Sequence, residues 1–143
     1  MSLADKFNLL DGWNVLRIIC GAFFLPHIYG KFFAKDSIGF FTAAGFKPPR
    51  FWMYTAAVAE VVIAAGLIFG VYTQYAAALG AIHLLIACVA LYWLTNKWFW
   101  HLEGIEYPAF WAICCIVLAM RQIAQNAGYS IPSRCQNHLL VSQ

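Results

Sequence analysis

Long apolar runs, broken by a few ionisable residues, set the hydrophobic pattern of this chain. Four runs stand out: Trp13 to Phe33, Phe51 to Val71, Thr73 to Leu94 and Tyr107 to Ile123. Each has about the 17–25 residues that a tilted helix needs to cross ~30 Å of hydrocarbon. Run length predicts helices rather than strands, because in lipid every backbone N–H and C=O must be satisfied within the segment. The expected fold class is all-α: an integral membrane four-helix bundle over residues 1–125, followed by a polar C-terminal tail over 126–143. An even number of spans places both termini on the same side.

The connections refine this outline. Val71 to Gln74 is so short a turn that spans two and three must be antiparallel neighbours. The first connection, Ala34 to Arg50, is longer. Within it Asp36 or Ser37 reads as an N-cap, Gly45 as a helix stop and Pro48-Pro49 as a rigid exit. Ile38, Phe40, Phe41 and Ala44 supply an apolar face between these signals, so a short interfacial helix is expected between helices 1 and 2. It would serve as a surface-lying connector or as a lid on the bundle.

Composition agrees with a membrane protein. The chain is 63% apolar and 10% charged, whereas soluble domains carry roughly 25% charged residues. Trp and Tyr gather at the ends of the apolar runs: Trp52 and Tyr54, Tyr72 and Tyr75, then Tyr92, Trp93, Trp98, Trp100, Tyr107 and Trp111. Rings with a polar edge favour the headgroup layer, so these are expected to mark membrane boundaries. Met1 to Asp11 carries Asp5, Lys6 and Asp11 rather than a basic cluster, so the first span is expected to stay as an anchor. Basic residues divide almost evenly between the two faces and leave the orientation open. A net charge of +3 is too small to point to nucleic acid. Four cysteines (Cys20, Cys88, Cys114 and Cys115) fall in apolar helices, where the thiol behaves as a small hydrophobe. Cys135, in the tail, is the one expected to be exposed, and no disulfide framework is read.

The candidate chemistry lies in the ionisable residues themselves. Arg17, His27, Lys31, Glu60, His83 and Glu106 fall in or at the mouth of the spans. A charge in hydrocarbon costs several kcal/mol unless it finds a partner or water, so such groups are functional candidates by default. On the first helix Arg17, His27 and Lys31 share an arc of ~80° at about 100° per residue. Pro26 removes a backbone donor beside His27, which frees a carbonyl and favours a kink. At ~1.5 Å per residue, Lys31, His27 and Glu60 lie ~3, ~9 and ~13 Å in from the long-loop face, and His83 lies near the midplane. Glu106 enters from the long-loop face, whereas Arg17 lies toward the terminal face. Five of the six can therefore converge, with Arg17 the outlier.

Each residue also has a plainer role. Arg17 and Lys31 can snorkel to the interfaces, and His83 can be a core histidine bonded to a carbonyl. Glu106 precedes Tyr107-Pro108 and suits a helix N-terminus. Glu60 is hardest to dismiss, because a mid-span carboxyl must be protonated or paired. Ala56, Ala57, Ala59, Ala64, Ala65 and Gly66 surround it, and such small residues mark helix–helix contact in membranes. It should face the bundle. HxxxH and CxxC spacings are missing, so no metal is predicted. The two histidines lie ~6 Å apart in depth, which disfavours a shared haem.

Several motifs together resemble the DoxX family. They are Leu16-Arg17 followed by Gly21, Pro26-His27-Ile28-Tyr29-Gly30-Lys31, Phe41 to Pro48, Glu60, Gly66 to Gly70, and Glu103 to Pro108. The resemblance runs roughly from Trp13 to Gln122. It implies a small four-helix protein of the bacterial inner (cytoplasmic) membrane, frequently linked to redox systems. It also implies association with thiosulfate oxidation coupled to quinone or with oxidative-stress complexes, hence partner subunits of a redox complex and a possible homo-oligomer.

Three functions fit these features. The first is a redox-associated subunit that binds a quinone or docks a partner oxidoreductase through the buried polar site. Glu60 with His27 or His83 would then meet the quinone oxygens and relay protons. The chain carries no haem, flavin or iron–sulfur motif, so electrons would come from a partner. The second is a structural anchor whose polar network only fixes helix register. The third is a small-solute or proton transporter, which in a bundle this narrow would require an oligomer.

Overall fold

Pro26 governs the shape of the first span. A computed structural model describes residues 3–33 and 37–128 of the chain. It opens with a short helix, α1 (Leu3–Lys6), and then divides the first span into α2 (Gly12–Ala22) and α3 (Phe24–Phe33). Proline has no N–H to offer the carbonyl four residues back and is tolerated only in the first turn of a helix. The chain therefore restarts at Phe24, with Pro26 inside that turn. Asp11 caps α2, its side chain accepting from the Trp13 N–H at 3.0 Å.

A short helix, α4 (Ser37–Ala43), fills the first connection, and Gly45 follows it at φ +82°. Pro49 opens α5 (Pro49–Phe69), where its missing N–H is one of the orphan donors of a helix start. Gly70 ends α5 in the left-handed conformation, and α6 (Thr73–Thr95) runs back beside it. A 3-10 turn (Trp100–Leu102) leads to α7 (Glu106–Asn126). The segments Gly12–Phe33, Pro49–Phe69, Thr73–Thr95 and Glu106–Asn126 are long and apolar enough to cross a membrane. The protein is an all-helical, multi-pass membrane protein. Asp36, Cys135 and the tail beyond residue 128 lie outside the described residues.

The helices close into a ring: α2 and α3 lie on α5, α5 on α6, α6 on α7, and α2 on α7. Small residues set the spacing. A Cβ placed on Gly21 would stand 2.9 Å from both Leu67 Cβ and Ile68 Cγ1, and one on Gly66 would stand 2.6 Å from Ala76 Cβ. Ala57, Ala64, Ala77, Ala81 and Ala112 are buried along the same seams, as close backbone packing in lipid requires. The outward faces carry Val58, Val62, Ile82, Leu85, Ile86, Ile113 and Met120, all exposed. Such an apolar belt is what acyl chains cover.

Candidate functional site

Glu60 occupies the middle of α5 and is only 3% exposed. Ala56, Ala57, Ala59 and Ala64 near it on the helix are small, so side chains from α3 and α6 reach it. Lys31 Nζ, at the end of α3, donates to Glu60 Oε1 at 2.7 Å and to Oε2 at 2.8 Å. His83 Nε2, on α6, stands 3.0 Å from Oε1. One carboxylate thus joins three of the four spans' elements through an ammonium and an imidazole. Ser37 Oγ donates to the Gly30 carbonyl at 2.5 Å, which fixes the start of α4 beside Lys31.

The triad forms one wall of a cavity of about 730 Å³, within the ~300–1,000 Å³ usual for small-molecule sites. His27 lines the same cavity without bonding to Glu60, and its ring lies 5.7 Å from that of Trp111. Phe24 packs on Trp111 with tilted rings, centroids 4.2 Å apart, and meets His83 edge-on at 6.2 Å; both Phe24 and Trp111 line the cavity. Phe40, Phe41, Phe46 and Trp52 also line it and touch in succession at 5.5, 5.7 and 5.8 Å between centroids. The short helix α4 therefore contributes aromatic cover to the cavity.

The six residues singled out in the sequence separate into three places, and four rather than five of them line the cavity. Lys31, Glu60, His83 and His27 meet at the cavity. Arg17 does not join them and does not snorkel. It is 5% exposed and donates from Nη1 to the Leu67 and Ile68 carbonyls, and from Nη2 to the Lys6 carbonyl at 2.5 Å. The Leu67 and Ile68 carbonyls are among the last of α5, where a cation complements the helix dipole. Glu106 is the first residue of α7, and its N–H bonds the Trp98 carbonyl at 2.9 Å. Glu103, Gly104, Tyr107 and Pro108 supply the cavity wall there.

Glu103 and Trp111 were not expected at the cavity, and α4 was expected to cover it only as one of two alternatives. Glu103 lines the cavity in the left-handed conformation, φ +64°. The α4 aromatics reach it only because the connection folds back. Trp111 was expected at a membrane boundary, but it is 4% exposed and its Nε1–H donates to the Cys20 carbonyl at 3.2 Å. That carbonyl belongs to the stretch where the first span breaks, so an indole from α7 serves a group that the break leaves available. Among the described residues, every buried side-chain N or O has a hydrogen-bond partner. None of them form a group of three or more His, Cys, Asp or Glu placed to hold a metal ion.

The arrangement of Pro26, Lys31 and Glu60 across two adjacent spans accompanies a sequence match. The DoxX family model matches residues 12–93, more than half of the chain. This protein belongs to the DoxX family. No curated protein and no solved structure matches it. The matched stretch of this DoxX protein contains His27, Lys31, Glu60 and His83 and ends at Trp93. The Glu103 to Pro108 segment and Trp111 complete the cavity from beyond it.

Proposed function

We propose that this DoxX protein is a membrane subunit of a redox system, resident in a bacterial inner membrane, that binds a quinone in the cavity beside Glu60. The observation that carries the reading is a buried carboxylate, held by an ammonium and an imidazole, opening onto an aromatic-walled space large enough for a ring. A quinone, when bound, supplies two-electron, two-proton chemistry. The donor set fits it: Lys31 and the two imidazoles offer N–H groups to carbonyl oxygens, while Phe24 and Trp111 offer flat apolar faces. Histidine also takes up and releases protons near neutral pH, which a proton-coupled site needs. Electrons would come from a partner oxidoreductase subunit.

Purification in mild detergent from the native membrane, followed by solvent extraction and quinone assay, tests this directly. Wild-type protein should retain quinone, and Glu60→Gln should lose it while keeping its helical content. Absence of quinone from both overturns the reading.

One observation favours a second reading, that of a structural anchor. The triad satisfies itself, with both carboxylate oxygens engaged inside the bundle. An anchor predicts that Glu60→Gln lowers assembly with partner subunits and leaves bound quinone unchanged.

A further inference from the structure

A second space adjoins the cavity beside Glu60 at its aromatic cover. Phe46, Ile86 and Ala90 line the cavity and also this second space of about 350 Å³, whose other α6 residues are Leu85, Val89 and Trp93. The second space is walled by apolar side chains, with Ala44 and Phe46 of the α4–α5 connection on one side and α6 on the other. Its α6 residues recur at the helical period, so they form one continuous stripe. Leu85, Ile86 and Val89 are about half exposed on the lipid-facing surface. Val89 lies ~9 Å along α6 from its Thr95 end, a depth where acyl chains rather than headgroups surround the helix.

The two spaces together have a polar end and an apolar end. Lys31, Glu60, His27 and His83 gather at the inner end, and the groove beyond Phe46 carries none of them. From this polarity and from the shared lining residues, we infer that the ligand is an amphiphile with a long hydrocarbon tail. It enters sideways from the lipid, its ring reaching the triad while its tail stays in the groove between the α4–α5 connection and α6. The inference rests on the quinone reading of the site and adds to it an entry route and a separate seat for the tail.

Two probes and two variants test it. The probes are a dimethoxy-methyl-benzoquinone ring without a tail, and the same ring carrying a decyl chain. Val89→Trp places an indole in the groove at a lipid-facing position, and Val58→Trp on α5 makes the same change on lipid-facing surface away from it. Binding to detergent-purified full-length protein is measured by quenching of intrinsic fluorescence, corrected for each variant's added indole. Val89→Trp should weaken the decyl probe by about tenfold, the equivalent of turning roughly two methylenes out of the groove. It should leave the tail-less probe unchanged, and Val58→Trp should change neither. Equal affinity of wild type and Val89→Trp for the decyl probe overturns the groove as the tail site, as does equal weakening of both probes. Failure of wild type to bind either probe overturns the quinone reading itself.

Discussion

Lys31 and Glu60 form a two-pronged ion pair between the end of the first span and the middle of the second, with Nζ 2.7 and 2.8 Å from the carboxylate oxygens. Removing one member of a buried pair strands the other and typically costs ~3–5 kcal/mol, whereas replacing both by apolar groups is often neutral. Lys31→Met should therefore lower the thermal unfolding temperature in detergent substantially, and Glu60→Leu likewise. The double variant should recover most of the loss. Additive losses in the double variant would show that the pair is not a coupled unit.

Arg17 is a fastener and does not line the cavity beside Glu60. It ties the carbonyls at the C-terminus of α5 to the Lys6 carbonyl at the end of α1. Hydrogen bonds to charged groups contribute roughly 1.5–3 kcal/mol each. Arg17→Gln should thus destabilise the bundle by at least ~2 kcal/mol, read as a fall in unfolding temperature. Quinone affinity of the folded fraction should not change.

Close approach of α5 and α6 depends on Gly66, where an added Cβ would meet Ala76 Cβ at 2.6 Å. Overpacking of this kind costs roughly 1–3 kcal/mol. Gly66→Ala should lower stability, and Gly66→Ala combined with Ala76→Gly should restore part of it. Thermal melts of the three variants provide the check.

Glu103 holds φ +64° although it is not glycine. The left-handed region costs an L-residue roughly 1–2 kcal/mol and costs glycine little. Glu103→Gly is expected to raise stability by about 1 kcal/mol. A melting temperature that falls instead would show that the Glu103 side chain makes contacts outweighing its backbone cost.

Much of the fold was readable because the bilayer leaves few alternatives. Apolar runs of spanning length, with Gly70 and the Val71 to Gln74 turn, sufficed for the four spans and for the α5–α6 pairing. Glu60 could be turned inward from its alanine neighbours, and depth arithmetic brought Lys31 and His83 within its reach. Arg17 resisted the same treatment because its partners are backbone carbonyls, which every residue has and no side-chain pattern reveals. Trp111 was misplaced for a different reason. An aromatic near the end of an apolar run looks alike whether it faces headgroups or folds under a broken helix. The aromatic cover from Phe40, Phe41 and Phe46 depended on how the first connection folds back, which hydrophobic periodicity does not specify.

On the quinone reading, Glu60 is the polar anchor of the site rather than a helix-register device. Titration of the decyl-tailed benzoquinone into purified wild type and Glu60→Gln, with circular dichroism on the same samples, addresses this most directly. Saturable binding to wild type, weakened about tenfold or more in Glu60→Gln at unchanged helicity, is the predicted result. Identical binding curves for the two proteins would contradict it.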